Sequence, residues 1–263
     1  MHIHLADQHR QGDSLLHHLD PRVKVILTLL FILSVSLTPF GAFAAYGALW
    51  FLVLVAVFLA RIGFGYVLRR ALVAAPFALA AITLPFTIPG EPLATLPLFG
   101  GLTISAPGVI RFVSILVKSW ISVQAAVVLV AVTPFPDLLW ALRAIHIPAP
   151  LVAIVSFMYR YLFLLSDEVL RMLRARSSRS AALPGVRSGG AVWWRGKVAG
   201  QMAGSLMIRS FERSERVYNA MLARGYQGAM HTLDEPHLHQ ADLAALLVMT
   251  VSLGAILLFS HWG

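Results

Sequence analysis

The sequence predicts an all-α membrane protein with about five transmembrane helices and a cytoplasmic region of amphipathic helices. Apolar residues make up 58% of its 263 residues and charged residues 13%, whereas soluble domains have about 45–50% and about 25%. Five apolar runs have the length of membrane spans, and 13 of the 21 Lys and Arg residues lie between Arg143 and Arg224. A membrane-embedded bundle with one basic face accounts for all three observations.

The apolar runs approach the ~20 residues that a helix needs to cross ~30 Å of hydrocarbon. Pro76 and Pro85 lie in the third run, where each removes a backbone hydrogen bond, so we expect that helix to be bent. A sixth run, 151–165, has 15 residues and contains Arg160, which favours an interfacial or protein-packed helix over a span. The five predicted spans are 23–38, 41–60, 71–88, 109–133 and 242–260.

The distribution of Lys and Arg predicts the orientation in the membrane. With the N-terminus in the cytoplasm, the outer segments 39–40, 89–108 and 261–263 contain no Lys or Arg. A sixth span would move the eleven basic residues from Arg171 to Arg224 outside, against the positive-inside tendency. We therefore predict a multi-pass protein of the inner cell membrane with a cytoplasmic N-terminus. Attraction to anionic headgroups of the lipid bilayer explains most of the net charge of +9, without a nucleic-acid partner.

This topology divides the chain into four parts. Residues 1–20 form a polar, His-rich cytoplasmic arm that is unlike a cleaved signal peptide, and residues 21–134 form a region of four spans. Residues 135–240 form the cytoplasmic region, and residues 241–263 form the last transmembrane helix. The outer loop between the third and fourth spans combines Pro and Gly with short β-prone pieces, which is typical of a hairpin-like rim.

Three helices are predicted in the cytoplasmic region. The first begins at Pro136 and Asp137 and ends before Pro148. The second covers about 151–179, with an apolar stripe and with Asp167 and Arg171 on a more polar flank. The third covers about 198–223, nearly 40 Å at ~1.5 Å per residue, and Gly225 closes it as a C-terminal glycine cap. Amphipathic helices of this kind also occur in purely surface-bound or packing roles.

The sequence supplies weak evidence for metal binding or catalysis. There is no Cys, and the histidines, which cluster at residues 2–18 and before the last span, lack metal-ligand spacing. The segment GGAVWWRGKVAG resembles a phosphate loop, but five residues separate Gly190 from Gly196 and Val198 replaces the required Ser or Thr. We therefore predict no metal site, no cofactor and no catalytic residues.

Two cations lie inside the fourth span, where charge is costly and therefore a functional candidate. Arg111 and Lys118 are seven residues apart, so they share one helical face. Arg111 is close enough to the outer end of the span to reach the membrane surface. Lys118 either pairs within the bundle, meets a partner subunit or lines a pathway.

Several segments together resemble the transmembrane T component of energy-coupling factor importers. These are LDPRVKVILTLLF after a short polar arm, TPFPDLLWALRAIHIPAPL, and two short triplets that each end a cytoplasmic helical stretch. The triplets are Ala175-Arg176-Ser177 and Ala223-Arg224-Gly225. The resemblance covers nearly the whole chain, and within the family it is greatest to the Q-type subunit of cobalt and nickel importers.

The resemblance implies a non-catalytic transport subunit. In the family, each triplet tips a coupling helix that docks on one of two ATP-hydrolysing subunits, which assigns ATPase coupling to Ala175, Arg176, Ser177, Ala223, Arg224 and Gly225. Ser177 stands where glycine is usual. The implied partners are two copies of an ATP-binding subunit and a separate, metal-binding membrane subunit that carries the substrate. The apolar stripe of 151–165 and the methionines Met202, Met207 and Met221 would contact that subunit or the chain's own spans.

Two alternatives remain at this level. The cargo is cobalt or nickel, or else a vitamin or another substrate of a related importer. A membrane scaffold without transport function would have the same topology.

Overall fold

The computed structural model of the chain describes residues 12, 14–90, 92–96, 102–179, 192–228 and 238–262. Contacts between Cα atoms divide it into two compact units, one of residues 4–145 with 234–263 and one containing residues 146–233. The described helices of the first unit are α1 (Leu15–His18), α2 (Pro21–Leu37), α3 (Phe43–Leu59), α4 (Phe64–Ala71), α5 (Ala75–Ala81), α6 (Leu84–Thr87), α7 (Ala106–Val132), α8 (Phe135–Ala144) and α11 (Gln240–Trp262). The second unit contains α9 (Ala149–Arg179) and α10 (Val192–Ala223).

The first unit is built around α2, α3, α7 and α11. Their facing sides enclose a core of large apolar side chains, and the most deeply buried include Val35, Leu49, Ile121 and Leu253. The outer sides of the same unit are also apolar, since Phe58 is 84% exposed and Val73 is 72% exposed. A surface of this kind requires a lipid environment, because water would be in contact with large apolar side chains on every side. The structure is a helical membrane protein, as predicted.

The five predicted spans correspond to helices of different lengths. By length and composition, α7 with 27 residues and α11 with 23 residues are able to cross a membrane. Helices α2 and α3 have 17 residues each, and α3 is apolar throughout. At ~1.5 Å per residue, 17 residues reach about 26 Å, slightly less than the hydrocarbon thickness. The third predicted span is a broken helix.

The predicted bend in the third span is confirmed. Helix α4, a 3-10 turn at Leu72–Ala74, α5 and α6 follow one another, and the two halves Phe64–Ala74 and Leu79–Thr87 meet at 43°. Pro76 and Pro85 lie at the first turns of α5 and α6, where their missing N–H groups cost no helical hydrogen bond. The bent segment also begins at Phe64 instead of the predicted residue 71.

The outer loop forms the predicted hairpin. Strand β1 (Pro92–Leu96) pairs antiparallel with β2 (Leu102–Ser105), with Leu96 opposite Leu102 and an irregularity between Pro92 and Ala94. Ser105 ends the hairpin and caps α7, because its Oγ accepts the N–H of Gly108 at 3.2 Å. In the described residues, this hairpin supplies the β strands and the other regular elements are helices.

The length argument against a sixth helix of membrane-spanning size is wrong. The predicted helix over about 151–179 is confirmed as α9, with 31 residues. By length and composition, α9 qualifies as a candidate span even though the apolar run 151–165 has only 15 residues. Its charged C-terminal half continues the helix, because Arg, Glu and Met are good helix formers. The interfacial placement of α9 stays a prediction, as does the division of the chain into four parts.

Candidate functional site

An ion pair joins the two arginine-bearing helices, α9 and α10. Glu168 on α9 accepts hydrogen bonds from Nη2 of Arg171 at 2.6 Å and from Nη1 of Arg209 on α10 at 2.9 Å. Its side chain is 15% exposed, whereas both arginine side chains are 61% exposed. Partial burial raises the pKa of Glu168, but the two guanidinium groups outweigh that effect and hold the pKa below its ordinary value. Glu168 lies beyond the apolar half of α9, in its polar part.

The second triplet forms the C-terminal cap of α10. Ala223 is the last helical residue, Arg224 follows it, and Gly225 has φ +81°. Tyr226 N–H donates to Met221 O at 3.0 Å and Gly225 N–H donates to Leu222 O at 3.0 Å, which is the hydrogen-bond pattern of a Schellman motif. Glycine suits this position because other residues rarely adopt a left-handed backbone. The cap predicted at Gly225 is confirmed.

The triplet itself is fully accessible at this helix end. Ala223, Arg224 and Gly225 are all exposed, and a Cβ atom at Gly225 would meet no neighbour within 4 Å. The small side chains on both sides leave the Arg224 guanidinium open to approach from several directions. A guanidinium in this position is suited to bidentate hydrogen bonds with a carboxylate of a docked protein.

The first triplet lies in the last turn of α9, two residues before the helix ends at Arg179, which agrees with the predicted end at about residue 179. Helix α9 continues through Ala175, Arg176 and Ser177 to Arg179. Ser177 Oγ donates to the carbonyl of Arg174 at 2.7 Å, so its hydroxyl is accommodated by the preceding helical turn. A glycine at this position would favour a left-handed helix end, and serine does not. Arg176 is half-buried while Ala175 and Ser177 are exposed.

Apolar faces of α9 and α10 remain exposed in the second unit. On α9, Ile154 is 62% exposed and Met158 is 60% exposed. On α10, Met207 is 61% exposed, while Met202 and Met221 are half-buried. The face of α10 that carries Met207 continues through further exposed large side chains: Phe211, Tyr218 and Leu222.

Lys118 is a helix cap within the bundle. Its Nζ donates to the carbonyls of Ser36 at 3.2 Å and Thr38 at 2.5 Å, at the C-terminal end of α2. These are carbonyls that lack helical partners, and a cation there also interacts favourably with the helix dipole. Phe40 lies 4.6 Å from the Lys118 ammonium and 5.8 Å from the Arg111 guanidinium, which confirms that both cations share one face of α7. Of the alternatives for Lys118, the structure shows pairing within the bundle.

A buried carboxylate joins the starts of the first and last long helices of the bundle. Asp242, 2% exposed, accepts the N–H of Asp20 at 2.9 Å and the N–H of His239 at 2.8 Å. Asp20 in turn caps α2 by accepting the N–H of Arg22 at 2.8 Å, with Pro21 in the first turn. The sequence predicts no role for either residue. The Asp-Pro pair is a signal for the cap of α2, but nothing local indicates Asp242 as its partner.

The described residues contain no group of three or more His, Cys, Asp or Glu side chains able to hold a metal ion. Most histidines of the predicted arm, including His2, His4 and His9, and the pre-span His237 lie outside these residues, as does Gly190 of the weak phosphate-loop resemblance. The remainder of that segment, from Val192, is helical in α10, with no preceding strand in the described chain. This local structure differs from the strand, loop and helix that a phosphate loop requires.

Comparison with known proteins gives a consistent result. Residues 12–233 match the family described as CbiQ, cobalt transport protein. The energy-coupling factor transporter transmembrane protein EcfT of Acidaminococcus fermentans is 28% identical, over 97% of this chain and 96% of that protein. The cobalt transport protein CbiQ of Rhodobacter capsulatus is 32% identical over 40% of each chain, and that of Salmonella typhimurium is 30% identical over 57% of this chain and 65% of its own.

The family match covers most of the chain, including α2 through α10 with both arginine triplets. Full-length similarity to a T component and the helical membrane fold agree with the resemblance seen in the sequence. The chain therefore belongs to the CbiQ family of cobalt transport proteins, which are transmembrane T components of energy-coupling factor transporters.

Proposed function

We propose that this T component couples ATP hydrolysis in two partner subunits to substrate movement in a separate membrane subunit. The observation that carries the proposal is the pair of long helices, α9 and α10, which each present a triplet arginine and which Glu168 and Arg209 tie together. ATP binds and is hydrolysed in the partners, and this chain is non-catalytic. Its task is to transmit their relative motion.

Docking rests on Arg176 and Arg224. The Schellman cap presents Arg224 at an exposed end of α10, and α9 presents Arg176 three residues before the end of that helix. Each guanidinium pairs with a carboxylate in a groove of one ATP-binding subunit, and the small residues beside it permit close approach. We assign Ala175, Arg176 and Ser177 to one copy and Ala223, Arg224 and Gly225 to the other.

Transmission depends on the stiffness of the two helices. Each has more than 30 residues, so a displacement at one end reaches ~45 Å along the axis. Because the Glu168 carboxylate bonds to both Arg171 and Arg209, movement of either helix is passed to the other. The two ATP-binding subunits therefore act on one connected unit.

The membrane subunit that binds the cargo docks on the exposed apolar faces of α9 and α10. Ile154, Met158 and Met207 are exposed apolar side chains. They would remain in contact with water if only soluble subunits bound to the chain. Methionine side chains repack readily, which suits a partner that is gripped and released in each cycle. The orientation that serves this arrangement has the N-terminus and both triplets on the cytoplasmic side of the inner membrane.

Cobalt, or the chemically similar nickel, is the proposed cargo, and it would be bound by the partner membrane subunit. The family description and the CbiQ relatives support cobalt. The similarity to EcfT over nearly the full chain favours a second candidate, a T component that serves another cargo such as a vitamin. Uptake of labelled cobalt, nickel and vitamins by cells that carry the complete transporter separates the two.

The coupling role is tested by charge reversal. Arg176→Glu and Arg224→Glu should each abolish ATP-driven uptake or association with the ATP-binding subunits, while membrane insertion is retained. Arg179→Glu and Arg216→Glu, which reverse exposed arginines on the same two helices, are the matched controls and should retain uptake. Full uptake with both triplet arginines reversed would contradict the assignment. A tagged chain that brings down no ATP-binding subunit would favour a membrane scaffold instead.

A further inference from the structure

The first turns of α10 expose an unusual amount of apolar and aromatic surface. Val192 is 84% exposed, Trp193 is 86% exposed and Trp194 is 46% exposed. Trp193 and Trp194 point about 100° apart around the helix, so a single flat protein contact does not cover both. Indole rings of this size are rarely left in water by a folded protein without a partner.

The same turns are strongly basic. Arg195 and Lys197 follow the tryptophans directly and are exposed, and α10 has no acidic residue before Glu212. The N-terminus of a helix adds partial positive charge, because its first N–H groups have no helical acceptors. The whole N-terminal part of α10 therefore presents positive potential around the exposed indoles.

Tryptophan beside Lys and Arg matches the chemistry of a lipid bilayer surface. Indole rings prefer the level of the lipid headgroups, where the ring lies among the upper acyl chains and the N–H group meets water. Lys and Arg next to them reach the lipid phosphate groups. Each such residue raises the affinity for an anionic membrane several-fold. A soluble protein surface would need both a wide apolar cleft and an acidic rim to offer the same complementarity.

We propose that Val192–Lys197 is an interfacial membrane anchor that binds anionic phospholipids. Trp193 and Trp194 lie in the headgroup layer, and Arg195 and Lys197 contact lipid phosphates. The remainder of α10 continues from this anchor to the Gly225 cap. The anchor is independent of which cargo is carried and of which subunits dock at the triplets.

Fluorescence of a single tryptophan tests the anchor in the full chain. We would keep Trp193, replace Trp50, Trp120, Trp140, Trp194 and Trp262 by Phe, and reconstitute the protein in nanodiscs with phosphatidylglycerol. Lipids brominated near the headgroup should quench Trp193 at least twofold more than aqueous acrylamide does. The matched control is Tyr218→Trp in a tryptophan-free chain, 25 residues further along α10 and also exposed, for which acrylamide should be the stronger quencher.

Three outcomes would overturn the proposal. Trp193 quenched mainly by acrylamide would place the turn in water, and Trp193 protected from both quenchers would place it against protein. Equal lipid quenching in zwitterionic nanodiscs, or with Arg195→Gln and Lys197→Gln together, would remove the role of anionic headgroups.

A second measurement guards against misfolding of the tryptophan variants. The chain contains no Cys, so Gly196→Cys gives one unique label site in the otherwise native protein. A Cβ atom at Gly196 meets no neighbour within 4 Å, so the substitution fits. A spin label there should be more accessible to oxygen than to a water-soluble nickel chelate, and the reverse order would contradict the anchor.

Discussion

Glu168 on α9 lies 2.9 Å from the guanidinium of Arg209 on α10, and the two residues are 41 positions apart in the chain. The contact links the helices that carry the two triplet arginines, and neither residue belongs to a triplet. A single exposed ion pair contributes little to folding, typically ~0.2–1 kcal/mol. It is nevertheless a direct side-chain contact between α9 and α10 in the described chain.

Glu168→Gln should loosen this link. The side-chain amide of this variant can still accept a weak hydrogen bond from an arginine, but it lacks the negative charge that attracts both Arg171 and Arg209. Spin labels at Val169→Cys and Ile208→Cys, in a chain without native Cys, should report a broader distance distribution. Glu212→Gln, on an exposed glutamate of α10, is the control and should leave the distribution unchanged.

The same distance measurement should depend on pH. Because the pKa of Glu168 is lowered in the folded protein, its ion pairs stabilise the unit above the ordinary carboxyl pKa. That stabilisation is lost as the pH falls through the lowered pKa, so the distribution should broaden on acidification. A Glu168→Gln chain should show no such acid-dependent broadening, and broadening of equal size in that variant would contradict the assignment.

Gly225→Ala should weaken coupling more than it weakens folding. A non-glycine residue at φ +81° has a conformational cost of ~1–2 kcal/mol. In the variant, the end of α10 is expected to shift to relieve this strain, and Arg224 would move with it. We expect loss of association with the ATP-binding subunits, measured by co-purification. Gly228→Ala places the same strain at φ +87° outside the cap, and this control should retain the complex.

Lys118→Met should destabilise the bundle without abolishing insertion. The substitution removes a charged donor from the carbonyls of Ser36 and Thr38, an effect of ~1.5–3 kcal/mol. Unfolding by SDS in mixed micelles should shift accordingly. Arg111→Met removes the more exposed cation of the same face, and a shift as large as that of Lys118→Met would contradict the capping role.

Asp242→Ala should destabilise the contact between α2 and α11. It leaves the buried N–H of Asp20 without its acceptor, at a cost of ~1–3 kcal/mol. Asp242→Asn keeps an acceptor oxygen and should recover part of the loss in the same SDS titration. Asp167→Ala, on an exposed carboxylate of α9, should have no effect.

The sequence predicts elements whose signals are local. Apolar runs identify the transmembrane helices, Pro76 and Pro85 identify the bend, and Gly225 identifies the end of α10, because each acts through its own backbone. The predicted start of α10, at about residue 198, lies six residues after the observed start at Val192, because Gly196 and Gly200 lower the helix propensity of this stretch.

Contacts between distant residues were not predictable in the same way. The spacing of four residues favours a pair of Asp167 with Arg171, but Arg171 bonds to Glu168, which also bonds to Arg209 of α10. The end of α9, by contrast, agrees with the predicted end at about residue 179, so the first triplet lies in the last turn of its helix.

Asp20 and Asp242 also set the order in which the bundle is completed. The two residues are 222 positions apart, so the acceptor for the Asp20 N–H is made long after α2 itself. Until α11 enters the membrane, the start of α2 keeps an unpaired polar group. Closure of the bundle at this end therefore waits for α11, and a chain that lacks α11 leaves the Asp20 N–H without its protein acceptor.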